Sequence, residues 1–335
     1  MDSVVRSPAC EDRQTLNECT ESRAGFGRGT ALGPAWIALL GLLGFLGAPS
    51  LQAQEMEPRN YSPAPVGLRL AGLGYGESRG DINFDPSLAV ENAEATIGVT
   101  MGFFASTFAM FHRPWRVSVL LPYFDGELTG RQGGVDRRIA RYGPGDARLS
   151  LAVTFAGLEP LSPAEFARRE KRTTWGASLT VAAPTGEYDP NLLINIGANR
   201  WSIKPEIGVS HPVGNWTLEA ALGTWIFGDN TDFAGGATRS QDPLSSFQAH
   251  VGYTFRPGLW LAATGTWYTG GRTSVDGQRK RDFQSNSRVG LTLGVPLTSH
   301  QSLKLVGSKG VTTRIGNDFD SWLLVWQYRW FRATD

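Results

Sequence analysis

Cysteine is almost missing from this chain, and what little there is lies in one place. The 335 residues include only Cys10 and Cys19, both ahead of the first apolar run. If that run is removed on export, no thiol remains, which excludes a disulfide scaffold, a thiolate metal site and a cysteine nucleophile together. Excess charge of one sign is missing too. Lys and Arg number 32 against 31 Asp and Glu, for a net charge of +1, so no global field draws the chain to nucleic acid. Long apolar runs are absent beyond Ala53. A mean hydropathy of -0.20 is likewise too polar for a bundle of membrane helices.

Glycine and tryptophan are plentiful. The 41 glycines make up roughly 12% of the chain against a usual ~7%, and there are 11 tryptophans. A glycine-rich, aromatic-rich and only moderately apolar chain suits many short strands with one wet face and one apolar face.

The apolar run itself, Ala35 to Ala48, reads AWIALLGLLGFLGA. It falls short of the ~20 residues of a spanning helix. Arg23 and Arg28 precede it, and Ser50-Leu51-Gln52-Ala53 follows with small residues at a cleavage point. This is the layout of a secretory signal. Residues 1–53 are therefore expected to be an N-terminal extension and signal peptide, with the mature chain beginning near Gln54. The acidic Glu11, Asp12, Glu18 and Glu21 fit an n-region poorly and point to a start codon further along.

Beyond Ala53 the pattern alternates with period 2, which selects strand over helix. Trp175, Ala177, Leu179 and Val181 oppose Thr174, Gly176, Ser178 and Thr180. Trp201, Ile203, Pro205, Ile207 and Val209 oppose Ser202, Lys204, Glu206, Gly208 and Ser210. Twelve such segments are expected: 66–75, 95–108, 115–124, 146–156, 174–183, 201–210, 215–227, 244–255, 258–269, 285–296, 301–310 and 321–331. Long gaps follow the odd segments (76–94, 125–145, 184–200, 228–243, 270–284, 311–320), and most gaps after even ones are tight turns. That rhythm belongs to a barrel with long outer loops and short periplasmic turns. The expected fold is all-β: a transmembrane, antiparallel, up-and-down β-barrel of about twelve strands over residues 54–335. One periplasmic gap, 157–173, is long and carries the capping box Ser162-Pro163-Ala164-Glu165, which predicts a short helix.

Trp115, Tyr123, Trp175, Trp201, Trp216, Trp260, Trp267, Trp322 and Trp330 stand near strand ends, as an interfacial girdle requires. The final strand turns Trp322, Leu324, Trp326, Tyr328 and Trp330 to one face. The opposite faces carry Arg116, Arg148, Lys204, Glu206, Glu219, Gln248, His250, Arg288, Lys304 and Arg329. A charge facing lipid at mid-depth costs about 2–4 kcal/mol, so these residues are expected to line the lumen and contact a solute. Paired across the interior, they would equally serve to hold the wall together.

No catalytic set is expected. Of the four histidines, His112, His211 and His300 sit in turns, and only His250 faces the lumen, without an evident nucleophile. Aspartate-rich stretches at Gly80–Pro86, Gly228–Phe233 and Gly316–Asp320 lack EF-hand spacing, and Asx turns account for them. Neither a metal nor a cofactor is expected.

The chain resembles an outer-membrane transporter family labelled for the meta-pathway of phenol degradation. The resemblance rests on Gly80-Asp-Ile-Asn-Phe-Asp-Pro86, Arg141-Tyr-Gly-Pro-Gly-Asp146, Ala183-Pro-Thr-Gly-Glu-Tyr-Asp-Pro190 and Asn199-Arg-Trp-Ser-Ile-Lys-Pro-Glu206. Gln248-Ala-His250, Thr254–Trp260, Gln284–Arg288, Thr312–Gly316 and Trp326–Trp330 continue it over nearly the whole chain from about Tyr61 to Phe331. It implies a membrane β-barrel with a role in uptake of aromatic compounds, and no catalytic residues. The expected function is passive passage of a small, aromatic or otherwise apolar solute through the Gram-negative outer membrane. The expected partners are that solute, membrane lipid and lipopolysaccharide, whose phosphates suit Arg272, Arg279, Lys280 and Arg281. A structural or adhesive barrel acting through its loops is the alternative, and a hydrolase centred on His250 ranks last.

Overall fold

The strands form a backbone ladder that closes on itself. In the computed structural model the described residues are 56–83, 90–132, 134–192 and 194–331, so the export segment expected within 1–53 lies outside them. The wall consists of β1 (Leu68–Asn83), β2 (Val90–Met110), β3 (Arg113–Gln132), β4 (Val135–Pro144), β5 (Arg148–Ala156), β6 (Thr174–Ala182), β7 (Ser202–Val213) and β8 (Trp216–Phe227). After β9 (Asn230–Phe233) and β10 (Ala237–Gln241) it resumes with β11 (Leu244–Arg256) and β12 (Leu259–Gly270). After β13 (Thr273–Val275) and β14 (Gln278–Arg279) it ends with β15 (Gln284–Pro296), β16 (Gln301–Thr312) and β17 (Gly316–Phe331).

Neighbours in sequence pair antiparallel around the wall, and β17 returns to β1 in unbroken register from Leu68↔Phe331 to Asn83↔Gly316. β4 pairs with the outer half of β3 and β5 with its inner half, so these two are halves of one barrel strand. The closed barrel therefore has twelve strands. Closure is what lets a sheet cross a bilayer, because lipid cannot satisfy an open edge. At the break between β4 and β5, the buried Asp146 carboxylate accepts hydrogen bonds from the amides of Gly186 (2.9 Å) and Ala198 (3.0 Å), tying loop 183–201 to the wall.

The outward face is apolar at mid-height: Leu73, Leu121, Leu179, Ile207, Leu222, Val251, Leu291 and Leu324 are all exposed. Water would not tolerate so continuous a greasy belt, and lipid covers it without penalty. Exposed Trp175, Trp201, Trp216, Trp267 and Trp322 sit on the same outer surface. Edge-to-face contacts, Tyr75 to Trp322 at 5.6 Å and Trp216 to Tyr253 at 4.8 Å, link adjacent strands there. Trp260 departs from the expected girdle. It lies seven residues from the outward Trp267, an odd number, so the pleat turns it inward, where the Arg59 guanidinium lies 4.3 Å from the ring.

The outer connections are more ordered than the sequence pattern suggests. The stretch 125–145, expected as a loop, is mostly the hairpin of β3 and β4; β1 and β2 likewise climb to Asn83 and from Val90. Above the bilayer both faces of a strand are wet. Apolar alternation then vanishes from Glu127, Thr129, Arg131 and Arg137 while backbone pairing continues. The gaps 228–243 and 270–284 contribute β9, β10, β13 and β14, which form a separate four-stranded sheet. At the opposite end, α1 (Pro163–Arg168) begins with the predicted capping box: Ser162 Oγ accepts from Glu165 N (3.4 Å) and Glu165 Oε2 from Ser162 N (2.8 Å).

Candidate functional site

The barrel interior is partly filled by the chain's own residues 56–67. Gly67, at φ 81°, makes a left-handed turn that glycine adopts without strain, and it carries the chain from this segment into β1. Val66 N donates to Leu161 O (2.8 Å) and Thr107 Oγ1 to Pro65 O (2.6 Å), anchoring the segment at the short-turn end. From there it contacts strands around most of the circumference. Arg116 on β3 donates to Asn60 O (3.0 Å) and to Asn60 Oδ1. Tyr61 OH donates to Glu206 Oε1 on β7 (2.9 Å) and lies 3.1 Å from Ser178 Oγ on β6. Both oxygens of Glu219 on β8 accept from the segment, one from Arg59 N and one from Ser62 Oγ (2.7 Å). Arg59 Nη2 donates to Thr254 Oγ1 on β11 (2.7 Å), and Glu57 lies 3.9 Å from Lys304 on β16.

Gly208 makes the closest approach. A Cβ there would run into the Tyr61 ring, so the bare backbone of β7 is the seat of that ring. Gly208→Val is expected to unseat Tyr61 without disturbing the outward face of β7, and so to raise ion conductance in planar bilayers above that of the native chain. A native conductance trace from a folded Gly208→Val barrel would show that Tyr61 does not restrict the lumen.

Each residue expected to face the lumen has a definite place. Arg116, Glu206, Glu219 and Lys304 meet the segment as described. Lys204 Nζ lies 2.7 Å from Glu206 Oε2, with both side chains about 5–6% exposed, in an ion pair whose Oε2 accepts no well-aligned hydrogen bond. Gly223 on β8 leaves the space this pair occupies. The Trp225 ring lies 5.9 Å from both Arg148 and Lys204. Gln248 and His250 are buried on the inner face of β11. His250 Nδ1 is 2.8 Å from Thr264 Oγ1, and the residue pairs across the ladder with Glu219. Arg288 braces β15 to β17, donating to Phe319 O at 2.7 Å. Arg329 is set apart: it is exposed at the short-turn rim and donates to Ser299 O. Arg116, Glu206 with its partner Lys204, Glu219 and Lys304 are thus brought together with the segment, and Arg288 and Arg329 are not.

The other side of the interior is apolar. Gly72, Gly74 and Gly76 face inward on β1, alternating with outward Leu73 and Tyr75. Phe103 covers Gly72, and Met101, Leu323 and Val325 surround Gly74. A second cluster of Ala182, Trp225, Leu244 and Tyr268, with Phe227 against it, lies inside as well. Neither the segment nor this strip stood out in the sequence. The available signal was inward parity of apolar residues on β1, β2 and β17. Among the described residues no three His, Cys, Asp or Glu are grouped to hold a metal ion.

Comparison with known proteins agrees with this architecture. The model of the family described as "Putative MetA-pathway of phenol degradation" matches residues 80–325. No curated protein matches the chain. Among solved structures, an outer membrane channel from Pseudomonas putida F1 superposes with a TM-score of 0.69 at 21% identity, over 82% of this chain and 100% of that one. The transport unit of the autotransporter AIDA-I from Escherichia coli gives a TM-score of 0.48 at 8% identity, over 88% and 97%. The first of these likenesses shows the fold.

Proposed function

Because the chain belongs to the family described as "Putative MetA-pathway of phenol degradation", we propose that it is a passive outer-membrane channel for small, apolar or aromatic solutes. The observation that carries this reading is the division of the interior. Lumenal charges on β3, β7, β8 and β16 are occupied by residues 57–62 or by one another, whereas β1, β2 and β17 present Met101, Phe103, Leu323 and Val325. A pore for hydrophilic solutes is lined by polar groups that remain free to hydrate its cargo. Here the strip on β1, β2 and β17 is greasy, and an apolar solute gains by leaving water for it. The reading assigns no catalytic step, and the contacts of His250 fit a wall residue.

A charge on that strip tests the reading. Val325→Asp is expected to cut uptake of a neutral aromatic such as toluene several-fold in cells expressing the channel, while potassium conductance stays level or rises. Undiminished aromatic uptake in a correctly inserted Val325→Asp barrel would remove the strip from the solute's route.

A further inference from the structure

Three sequence stretches that the channel reading leaves unused meet at one buried carboxylate. Asp146 ends the stretch Arg141–Asp146. Its Oδ1 accepts from Gly186 N, within Ala183–Pro190, and its Oδ2 from Ala198 N, beside Asn199–Glu206. Around it Thr185 Oγ1 accepts from Ala147 N (2.9 Å), Glu187 N donates to Pro144 O (2.8 Å) and Gly197 N to Glu187 O (2.8 Å). Gly186 and Gly197 lie back to back, and a Cβ on either would come within 2.7 Å of the other's backbone. One side chain thus clamps both stems of the connection 183–201.

That connection joins the neighbouring strands β6 and β7, yet it reaches well beyond both. On one side it meets the inner face of β4. Tyr142 pairs with Asp125, which shares parity with outward Leu121, so Arg141 and Gly143 look inward. Arg141 Nε donates to Ile194 O (2.9 Å), and Glu187 covers Gly143. On the other side it meets the hairpin of β9 and β10. Gly235 N donates to Pro190 O (2.8 Å), Tyr188 OH to Asp232 O (2.9 Å) and Asn199 Nδ2 to Asn230 Oδ1 (3.1 Å). Arg200 and Arg239 line one small cleft there. A connection that touches β4 from within and the β9–β10 hairpin beyond β8 lies across that sector of the outer mouth.

The connection is fastened there rather than packed. Among its described residues the buried ones are Asn195, Gly197 and Arg200, and no apolar side chain is buried. Segments held by hydrogen bonds with few buried apolar contacts open at low free energy. Amides donating to a buried carboxylate are the strong kind of hydrogen bond, so Asp146 dominates the attachment.

We propose that connection 183–201 is a lid over the outer mouth and that Asp146, as a positioning residue, is its latch. The inference rests on the channel reading and adds its regulation. The docked lid keeps water-soluble molecules from the lumen and lifts as one piece when the Asp146 contacts break.

The test uses a thiol placed beneath the lid. Half-buried Thr180 lies on the inner face of β6, two residues above Ser178, which Tyr61 touches from below. Thr180→Cys, made with Cys10→Ser and Cys19→Ser, reports access from outside to a membrane-impermeant maleimide on intact cells. The introduced thiol is expected to react at least ten-fold faster when Asp146→Ala is added, and unchanged with the surface variant Lys309→Gln. Gly197→Val forces the stems apart with the carboxylate intact and is expected to act like Asp146→Ala, so the test survives if the latter does not insert. Trypsin cleavage after Arg200, buried beneath the docked lid, should accelerate in both. Faster cleavage without faster labelling would make Asp146 a tether for a loop that covers nothing, and overturn the proposal. So would labelling indifferent to both substitutions. Toluene entry through the native chain reads the channel separately. Labelling that responds without toluene entry removes the channel and leaves the lid; toluene entry with unresponsive labelling does the reverse.

Discussion

Deleting residues 56–65 should raise single-channel conductance of the refolded barrel several-fold, the largest functional change expected from any alteration of this chain. The wall does not depend on the segment: β1 starts at Leu68 and its ladders to β2 and β17 begin at Arg69 and Leu68. What the segment supplies is occupancy. It engages Arg116, Glu206, Glu219, Thr254 and Lys304 from the inside and covers Gly208 and Trp260. Each lost hydrogen bond costs about 1 kcal/mol net where water can replace the partner, so the trimmed barrel should still fold. A twelve-stranded wall is narrower than an open porin of roughly 16–18 strands, which makes an internal strand of protein an effective obstruction. Planar-bilayer recording of full and trimmed chains measures the difference. Equal conductance would mean that ions pass beside the segment or that the lumen is closed elsewhere.

Lys204→Met should give the largest loss of stability from a single lumenal substitution. Among the described residues it leaves the Glu206 carboxylate buried with Tyr61 OH as its one side-chain donor. Removing one partner of a buried ion pair costs about 3–5 kcal/mol, because the remaining charge is neither solvated nor paired. Replacing both partners, as in Lys204→Met with Glu206→Leu, should recover much of that loss. Urea midpoints of the folded barrel, read by gel mobility or tryptophan fluorescence, give the comparison. A single variant as stable as the native chain would show that water reaches Glu206. A double variant no better than the single would assign the loss to packing of the Lys204 stem against Trp225.

The wall was legible from the sequence because lipid imposes a period. Trp175 to Val181 and Trp201 to Val209 alternate so regularly that all twelve strands lie close to where alternation places them. Legibility ended where lipid ended. The hairpin of β3 and β4 stands in water on both faces and carries no such signature, and β9, β10, β13 and β14, at two to five residues each, are too short for alternation to show. Residues 56–67 were invisible for a different reason. They form no regular element, and their partners lie far along the chain, Glu206 being 145 residues from Tyr61 and Thr254 195 from Arg59. The lumenal charges were readable as a face, but not their partners. Parity placed Glu219 and Arg116 inside, but Ser62 and Asn60 reach them only through the fold, from more than fifty residues away. Arg200 fell within a stretch the sequence marked out, yet Arg239, which shares its cleft, belongs to an outer strand no periodicity announced.

The central claim is that this barrel passes apolar rather than hydrophilic solutes. It is tested most directly by initial uptake of dilute radiolabelled toluene, beside a sugar of similar size, in Gram-negative cells with and without the chain in their outer membrane. The account predicts faster toluene entry and unchanged sugar entry. Equal acceleration of both would reveal a water-filled pore and contradict it, as would acceleration of neither.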